Sequence, residues 1–247
     1  MTMTAHLQTP QATPVSTQKV DLLIVGAGAS GCLLAAKLAT AGKKVVILEA
    51  GPDIGTKDMV SSQIWSRRWR WNGAPTEGGG AVGAAFNSGW GGGGSASHHY
   101  AVWLRLHEED FQVKSRFGVG NDWPLTYGDL RPFYDRIQEE VGISGDAKAE
   151  IWRPEGDPYP MPPLTQMGQG KAIARGFEKI GVRTAPTPVA INSTAYKGRP
   201  PCVYDGWCDA GCPVGALANP LVVHLPAAEA AGVVLTARAT MTGIASL

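Results

Sequence analysis

Several hallmarks of common protein classes are missing from this chain. No apolar stretch in the sequence reaches the roughly 18–20 residues that span a bilayer, so no direct membrane span is predicted. The net charge of +1 and the isoelectric point near 7.7 provide no basic face for a phosphate backbone, which argues against nucleic acid as a partner. Residues 1–18 have neither an apolar core region nor twin arginines, so they predict a disordered tail rather than a signal peptide. These features predict a cytoplasmic location, although export bound to a signal-bearing partner would leave the same sequence.

The strongest motif is a strand, a glycine turn, a helix and a second strand. The apolar run 21–25 leads into the turn 26–31, a helix is predicted over about 30–40 with Gly42 closing it, and a strand follows at 44–48. Gly26 permits the turn, Gly28 lets backbone N–H groups approach a phosphate, and Gly31 allows the helix to pack on the strand. Glu49 follows the second strand, where an acidic side chain accepts hydrogen bonds from a ribose diol. The pattern predicts a dinucleotide site; a glycine-rich turn without a ligand is the alternative.

Residues 89–100 contain a second glycine run, which is followed at once by serines, two histidines and a tyrosine. Flexible linkers rarely have this composition, so the run predicts backbone pressed against a planar ligand. The aromatic and basic cluster at residues 65–71 is assigned to a loop whose tryptophans pack on the core. Further helices are predicted at about 130–141, 169–180 and 221–231, with strands at 182–191 and 233–237.

Three of the four cysteines are close together in sequence, at Cys202, Cys208 and Cys212. Structural zinc is disfavoured because His224 is too far away to complete the usual spacing. An odd cluster cannot pair fully as disulfides, and Cys32 is better explained as a small buried side chain. Three thiolates in a glycine-punctuated loop are typical of iron–sulfur ligation, and inert thiols remain the alternative.

Several segments together resemble the glucose-methanol-choline (GMC) oxidoreductases, flavoproteins that oxidise alcohols. The resemblance covers nearly everything after residue 18, and narrower similarity is to the catalytic subunit of membrane-linked bacterial sugar and polyol dehydrogenases. The segments that carry it are Val25 to Gly31, Leu48 to Pro52, Gly93 to His98, Gly120 to Tyr127, Tyr159 to Leu164, Gly198 to Cys202 and Cys212 to Ala216.

The resemblance implies an α/β fold with a Rossmann-like FAD-binding domain and part of an α+β substrate domain. We expect domain boundaries at 1–18 (tail), 19–125 (first part of the FAD domain), 126–200 (part of the substrate or cap region) and 201–247 (cysteine loop and return to the FAD domain). The implied FAD-binding residues are Gly26, Gly28, Ser30, Gly31, Glu49, Gly93, Gly94, Ser95, His98 and Met241. Cys202, Cys208 and Cys212 would hold a cluster of three irons and four sulfurs.

The resemblance also implies a reaction and partners. A histidine base takes a proton from a sugar, sugar-acid or polyol hydroxyl while hydride moves to the flavin, and electrons then pass through the cluster to an acceptor other than NAD or oxygen. A cytochrome and a small signal-bearing subunit are the implied partners, placing the protein at the periplasmic face of the inner membrane.

One departure from the family is the absence of its substrate-side histidine motif. None of the five histidines matches that motif, so the sequence predicts a C-terminally truncated or split chain with no assigned catalytic residue. An inactive FAD-binding remnant and an NAD-dependent Rossmann enzyme or dinucleotide sensor remain alternatives. An open sheet edge also predicts low solubility for the isolated chain.

Overall fold

The computed structural model describes residues 19–62, 64 and 88–243. The tail predicted at 1–18 and the aromatic and basic cluster at 65–71 lie outside this part of the chain.

The described residues form short strands and helices joined by long irregular segments. The strands are β1 (Leu22–Val25), β2 (Val45–Leu48) and β3 (Val234–Thr236). The α-helices are α1 (Ala29–Thr40), α2 (Val113–Phe117), α3 (Tyr127–Val141), α4 (Gly168–Lys179), α5 (Pro220–Val223) and α6 (Leu225–Ala230). No helix within these described residues is long and apolar enough to cross a membrane.

The three strands of the described chain form one parallel sheet in the order β1-β2-β3. β1 and β2 pair from Leu22 opposite Val45 to Val25 opposite Leu48, and α1 crosses between them. On its other edge β2 pairs with β3, with Leu48 opposite Thr236. This arrangement confirms the predicted Rossmann-like α/β unit, in which the ends of β1 and β2 lie side by side.

Two apolar clusters stabilise the described chain. The first packs α1 and the sheet against α5 and α6, through Cys32, Ala35, Val45, Ile47 and Ala228 among others. The second lies around Ile143, Ile191 and Leu217, with the three clustered cysteines at its margin. The glycine turn and the second glycine run are thus held against the first cluster, and the cysteine loop against the second.

Two predicted elements differ from the structure. The strand predicted at 182–191 is irregular, with isolated bridges at Val189 and Ile191. Pro186 and Pro188 explain this, because proline has no N–H to donate to a ladder. The helix predicted at 221–231 is divided at His224 into α5 and α6, since Pro226 cannot donate a helical bond to Val222.

Candidate nucleotide-binding site

The glycine turn presents the N-terminus of α1 to open space. Gly26 has φ +98°, which L side chains rarely adopt, and Gly28 precedes α1 in extended geometry. Among the described residues no side chain caps this end of α1, and no acidic residue lies in its first turn, so its N–H groups have no side-chain acceptor in this part of the chain. A Cβ added to Gly28 would meet nothing within 4 Å, whereas one added to Gly31 would lie 2.1 Å from the Gly26 carbonyl oxygen. Gly31 therefore serves packing, and Gly28 leaves space in front of the helix.

The second glycine run lies directly against this turn. The Gly93 N–H donates to the Ala27 carbonyl at 2.9 Å, and a Cβ on Gly94 would lie 3.3 Å from the Gly28 Cα. Gly93 has φ +84° and begins a short 3-10 helix, Gly94–Ser97. The structure therefore brings together two glycine segments that are far apart in sequence.

Glu49 lies at the junction of these segments and is 8% exposed. Its Oε2 accepts a hydrogen bond from the Ala27 N–H at 2.8 Å, and its Oε1 accepts from the N–H groups of Gly51 at 2.8 Å and Gly91 at 3.2 Å. The sequence predicts a ribose-binding role for Glu49, but reasoning from the motif missed these backbone contacts. The signal for them is weak, because Gly91 becomes a neighbour of Glu49 only in the folded chain.

The other predicted FAD ligands occupy several positions. The Ser95 hydroxyl accepts from the Gly89 N–H at 2.9 Å, and the His98 ring is buried beside the second glycine run. Ser30 is exposed and lines a groove toward α3. Met241 is exposed beyond β3, shortly after Ala239, whose N–H donates to the Glu49 carbonyl. Contacts of these side chains with a flavin stay predictions.

His99, the neighbour of His98, has a defined structural role that the sequence did not indicate. Its Nε2 lies 3.0 Å from the Ala218 carbonyl oxygen, and its Nδ1 accepts from the Ala101 N–H at 3.0 Å. These two partners require a neutral ring with its proton on Nε2. Burial lowers the pKa of His99, against the opposing effect of the Ala218 hydrogen bond.

The three cysteines of the predicted cluster site do not come together as the residues of the dinucleotide site do. Cys202, Cys208 and Cys212 all pack at the edge of the second apolar cluster and are free thiols. Burial, followed by the charges of Cys202 and Cys212, raises the pKa of Cys208 to about 11. Among the described residues, no group of three or more His, Cys, Asp or Glu side chains is arranged to hold a metal ion. The present geometry does not fit a cluster, so we assign no electron-transfer step to these residues.

Cys32, the remaining cysteine, is fully buried as expected. Burial, and then the charges of Glu49 and Glu229, raises the pKa of its thiol to about 12. The protonated Sγ donates to the Ala27 carbonyl at 3.2 Å. Cys32 therefore supports the glycine turn from behind.

The first of the two predicted sites fits a dinucleotide. The N–H groups at the start of α1 suit a pyrophosphate, because helix N-termini favour anions. The open space at Gly28 gives phosphate oxygens access to them, and the Glu49 carboxylate stands at the end of β2, where the fold places a ribose. The donor set and the space in front of it are both present.

Comparison with known proteins agrees with this geometry. The model of an NAD(P)-binding Rossmann-like domain matches residues 24–58. The chain is 29% identical to the fructose dehydrogenase large subunit of Gluconobacter japonicus, over 82% of this chain and 42% of that protein. It is also 29% identical to 2-methyl-1,2-propanediol dehydrogenase of Mycolicibacterium austroafricanum, over 93% of this chain and 44% of that protein.

A solved structure gives the same result for the fold. Pyridoxine 4-oxidase from Mesorbium loti superposes with a TM-score of 0.56 and 19% identity, over 89% of this chain and 42% of the other. The chain thus spans less than half the length of each of these proteins. With a Rossmann-like nucleotide-binding fold and this similarity over most of its length, the chain is a homologue of the GMC oxidoreductases.

Proposed function

We propose that this chain supplies the FAD-binding part of an oxidoreductase that acts on the CH–OH group of a sugar, sugar acid or polyol. The observation that carries the proposal is the meeting of the α1 N-terminus, Glu49 and the second glycine run at one edge of the sheet. The similarity to fructose dehydrogenase and to a diol dehydrogenase supports an alcohol as the substrate class. A bound flavin would supply the hydride acceptor.

The residues of this chain would bind and orient that cofactor. The N–H groups of the first turn of α1 would hold the pyrophosphate, with Gly28 leaving room for it. Glu49 would accept from the adenosine ribose through the remaining lone pair of Oε2. Gly93, Gly94, Ser95 and His98 would follow the flavin ring, and Met241 would lie near the adenine.

The proposal also covers the electron acceptor and the partner subunits. The multi-subunit sugar dehydrogenases that the sequence resembles suggest a cytochrome acceptor and a small signal-bearing subunit, and hence the periplasmic face of the inner membrane. The sequence resemblance of the cysteine loop supports an iron–sulfur cluster, and the arrangement of its three free thiols, which does not fit a metal site, counts against it. Iron and sulfide analysis of anaerobically purified protein tests this point, and protein that binds FAD but no iron would remove the cluster from the proposal.

The FAD site is tested by comparing Gly28→Ala with the unaltered chain. An added methyl group at Gly28 meets open space at an ordinary φ of −77°, so the free energy of unfolding should change by less than about 1 kcal/mol. The same methyl group would obstruct charge-assisted hydrogen bonds to phosphate, so FAD affinity should fall about tenfold or more. Flavin fluorescence quenching measures the affinity, and chemical denaturation measures the stability.

Gly176→Ala is the matched control, since a Cβ there also meets open space but lies in α4. It should leave FAD affinity unchanged. An unaltered chain that does not bind FAD, or a Gly28→Ala variant that binds it normally, would contradict the proposed site.

NAD is the second candidate ligand because the matching family model describes an NAD(P)-binding domain. Glu49 is compatible with either nucleotide. Titration of the chain with NAD and with FAD by calorimetry separates the two. We expect FAD to bind and NAD to give no saturable heat.

A further inference from the structure

Three turns of the nucleotide site share one acceptor, the Glu49 carboxylate. Ala27 belongs to the turn after β1, Gly51 to the turn after β2, and Gly91 to the second glycine run, and each donates its N–H to Glu49. The two oxygens divide this work, since Oε2 accepts from Ala27 while Oε1 accepts from Gly51 and Gly91. The side chain is almost completely enclosed by the three turns.

The backbone segments around Glu49 are packed closely against one another. A Cβ on Gly51 would lie 2.2 Å from the Gly91 nitrogen, and one on Gly91 would lie 2.7 Å from the Pro52 carbonyl oxygen. A side chain at either glycine would therefore clash with the neighbouring backbone. Buried N–H groups require an acceptor, and for these three the carboxylate is the acceptor that the structure provides.

The hydrogen bonds also connect the parts of the site that would contact different ends of a dinucleotide. The Ala27 N–H belongs to the turn that faces the pyrophosphate, and Gly91 precedes the residues proposed to follow the flavin ring. Two backbone hydrogen bonds, from the Gly93 N–H to the Ala27 carbonyl and from the Gly92 N–H to the Pro52 carbonyl, connect the same segments as the Glu49 contacts. Glu49 therefore helps to fix the distance between the two glycine segments.

We propose that Glu49 is the positioning residue of this site: its carboxylate sets the two glycine segments relative to each other before any cofactor binds. This role is distinct from contact with a ribose and does not depend on it. The effect of this role on flavin binding rests on the proposed function. Its effect on the backbone of the chain without nucleotide does not.

The requirement for a carboxylate follows from its two acceptor oxygens. Glutamine has the same shape but one acceptor oxygen, so it cannot serve both Ala27 and the Gly51 and Gly91 pair. Its NH₂ group would instead face an N–H donor. Glu49→Gln should therefore loosen one of the two connections while leaving side-chain volume unchanged.

Hydrogen exchange of the full chain without nucleotide tests the positioning role. In Glu49→Gln, peptides that contain Ala27 or Gly91 should exchange about tenfold faster, which corresponds to loss of a charge-assisted hydrogen bond. Peptides from the second apolar cluster, such as those containing Ile143, should exchange at the rate of the unaltered chain. Glu150→Gln is the control, because Glu150 is equally buried but accepts from a side chain, the Tyr159 hydroxyl, and it should not change exchange at Ala27 or Gly91.

A spectroscopic measurement separates positioning from ribose contact. At saturating FAD, the visible circular dichroism of flavin bound to Glu49→Gln should differ from that of the unaltered chain, because the two glycine segments are differently spaced. Weaker FAD binding with normal exchange and a normal spectrum at saturation would assign Glu49 to the ribose alone and overturn the inference. Faster exchange in a chain that fails to bind FAD in any form would support the inference and refute the proposed function.

If Glu49→Gln does not fold, the unaltered chain still decides the question. The amides of Ala27, Gly51 and Gly91 should then be protected from exchange without nucleotide. Rapid exchange at these amides, at the rate of exposed loops, would overturn the inference.

Discussion

At the scale of single residues, Gly31 is the position where the nucleotide turn is least tolerant. An added Cβ would lie 2.1 Å from the Gly26 carbonyl oxygen and 3.2 Å from the Ile24 Cγ2 atom. The first neighbour is a backbone atom of the turn, and the second belongs to a buried side chain of β1. The clash can therefore be removed only if α1 moves away from the sheet. We expect Gly31→Ala to lower the free energy of unfolding by about 2 kcal/mol, in the range typical of overpacking. Urea denaturation followed by circular dichroism measures this change.

The same substitution at Gly176 provides the comparison. Gly176 is also inside a helix, and a Cβ there meets nothing within 4 Å. Alanine should stabilise α4 by about 1 kcal/mol, since glycine is the poorer helix former. Equal effects at Gly31 and Gly176 would show that the close contact between α1 and the turn is absent in solution.

His99 makes stability depend on pH. Its pKa is lowered in the folded chain, mainly by burial, so the unfolded state binds the proton more readily. The contribution of neutral His99 to the free energy of unfolding is therefore fully present above the unfolded pKa of about 6.5. It is lost as the pH falls below that value, and the free energy of unfolding changes by at most about 1.4 kcal/mol per pH unit for one proton. Burial lowers the pKa of His224 as well, which adds to the same trend.

We expect His99→Gln to reduce this slope between pH 7 and pH 5, because glutamine does not titrate. The remaining slope would come from His224 and other groups. Urea midpoints measured at half-unit pH intervals give both slopes. An unchanged slope in the variant would mean that the His99 ring is accessible to solvent and protonates in place.

At the scale of elements, Arg105 connects its own segment to three side chains of α3 through one guanidinium. Its side chain is 0% exposed, and it donates to the Tyr127 hydroxyl at 3.1 Å, to Asp135 at 2.6 Å and to Gln138 at 2.5 Å. Burial alone would raise the pKa of Asp135, but the Arg105 and Asp157 donors outweigh it and hold that pKa below its usual value. The arrangement fixes α3 against the segment that precedes it and against residues 155–157.

Arg105→Ala should therefore lower the free energy of unfolding by about 1.5–3 kcal/mol, because it removes a buried charged donor from Asp135, which keeps only Arg131 and the Asp157 N–H. Arg105→Lys should recover only part of this loss, since an ammonium cannot reproduce the fork of donors. Arg116 of α2 is the control: its ion pair with Glu109 is exposed on both sides, so Arg116→Ala should cost less than about 1 kcal/mol. A small effect of Arg105→Ala in denaturation would contradict the network.

The elements show where reasoning from sequence succeeds. The β1, α1 and β2 unit is predictable because its signals are local: an apolar run, a glycine turn and a closing Gly42 with φ +81°. The strand expected at 182–191 is wrong because Pro186 and Pro188 have no N–H to donate to a ladder. The joining of Glu49 to Gly91 and of His99 to Ala218 could not be predicted, because these contacts exist only after distant segments pack together.

At the scale of the whole molecule, a large apolar groove lies between α1 and α3. It has a volume of about 770 Å³, and its lining includes Leu33, Leu34, Leu130, Phe133 and Ile137. Leu34 of α1 is 47% exposed and Phe133 of α3 is 58% exposed. An ion pair between Lys37 and Glu140 connects the two helices beside the groove.

We expect the isolated chain to self-associate through this groove and through the outer edges of β1 and β3, since exposed apolar surface of this kind promotes aggregation. Light scattering should give a mass above the 26.0 kDa of one chain. Phe133→Ser should reduce both self-association and binding of an apolar dye. A monomer with one cooperative unfolding transition would refute this expectation.

The order of the sheet has a consequence for synthesis on the ribosome. β2 ends at Leu48 and its partner β3 begins at Val234, so one side of β2 has no neighbour until almost the whole described chain has been translated. At about 5–20 residues per second, that interval is on the order of ten to forty seconds. During this time the backbone of a Val- and Ile-rich strand is open to pairing with the wrong partner, so we expect chaperones to protect β2 in the nascent chain.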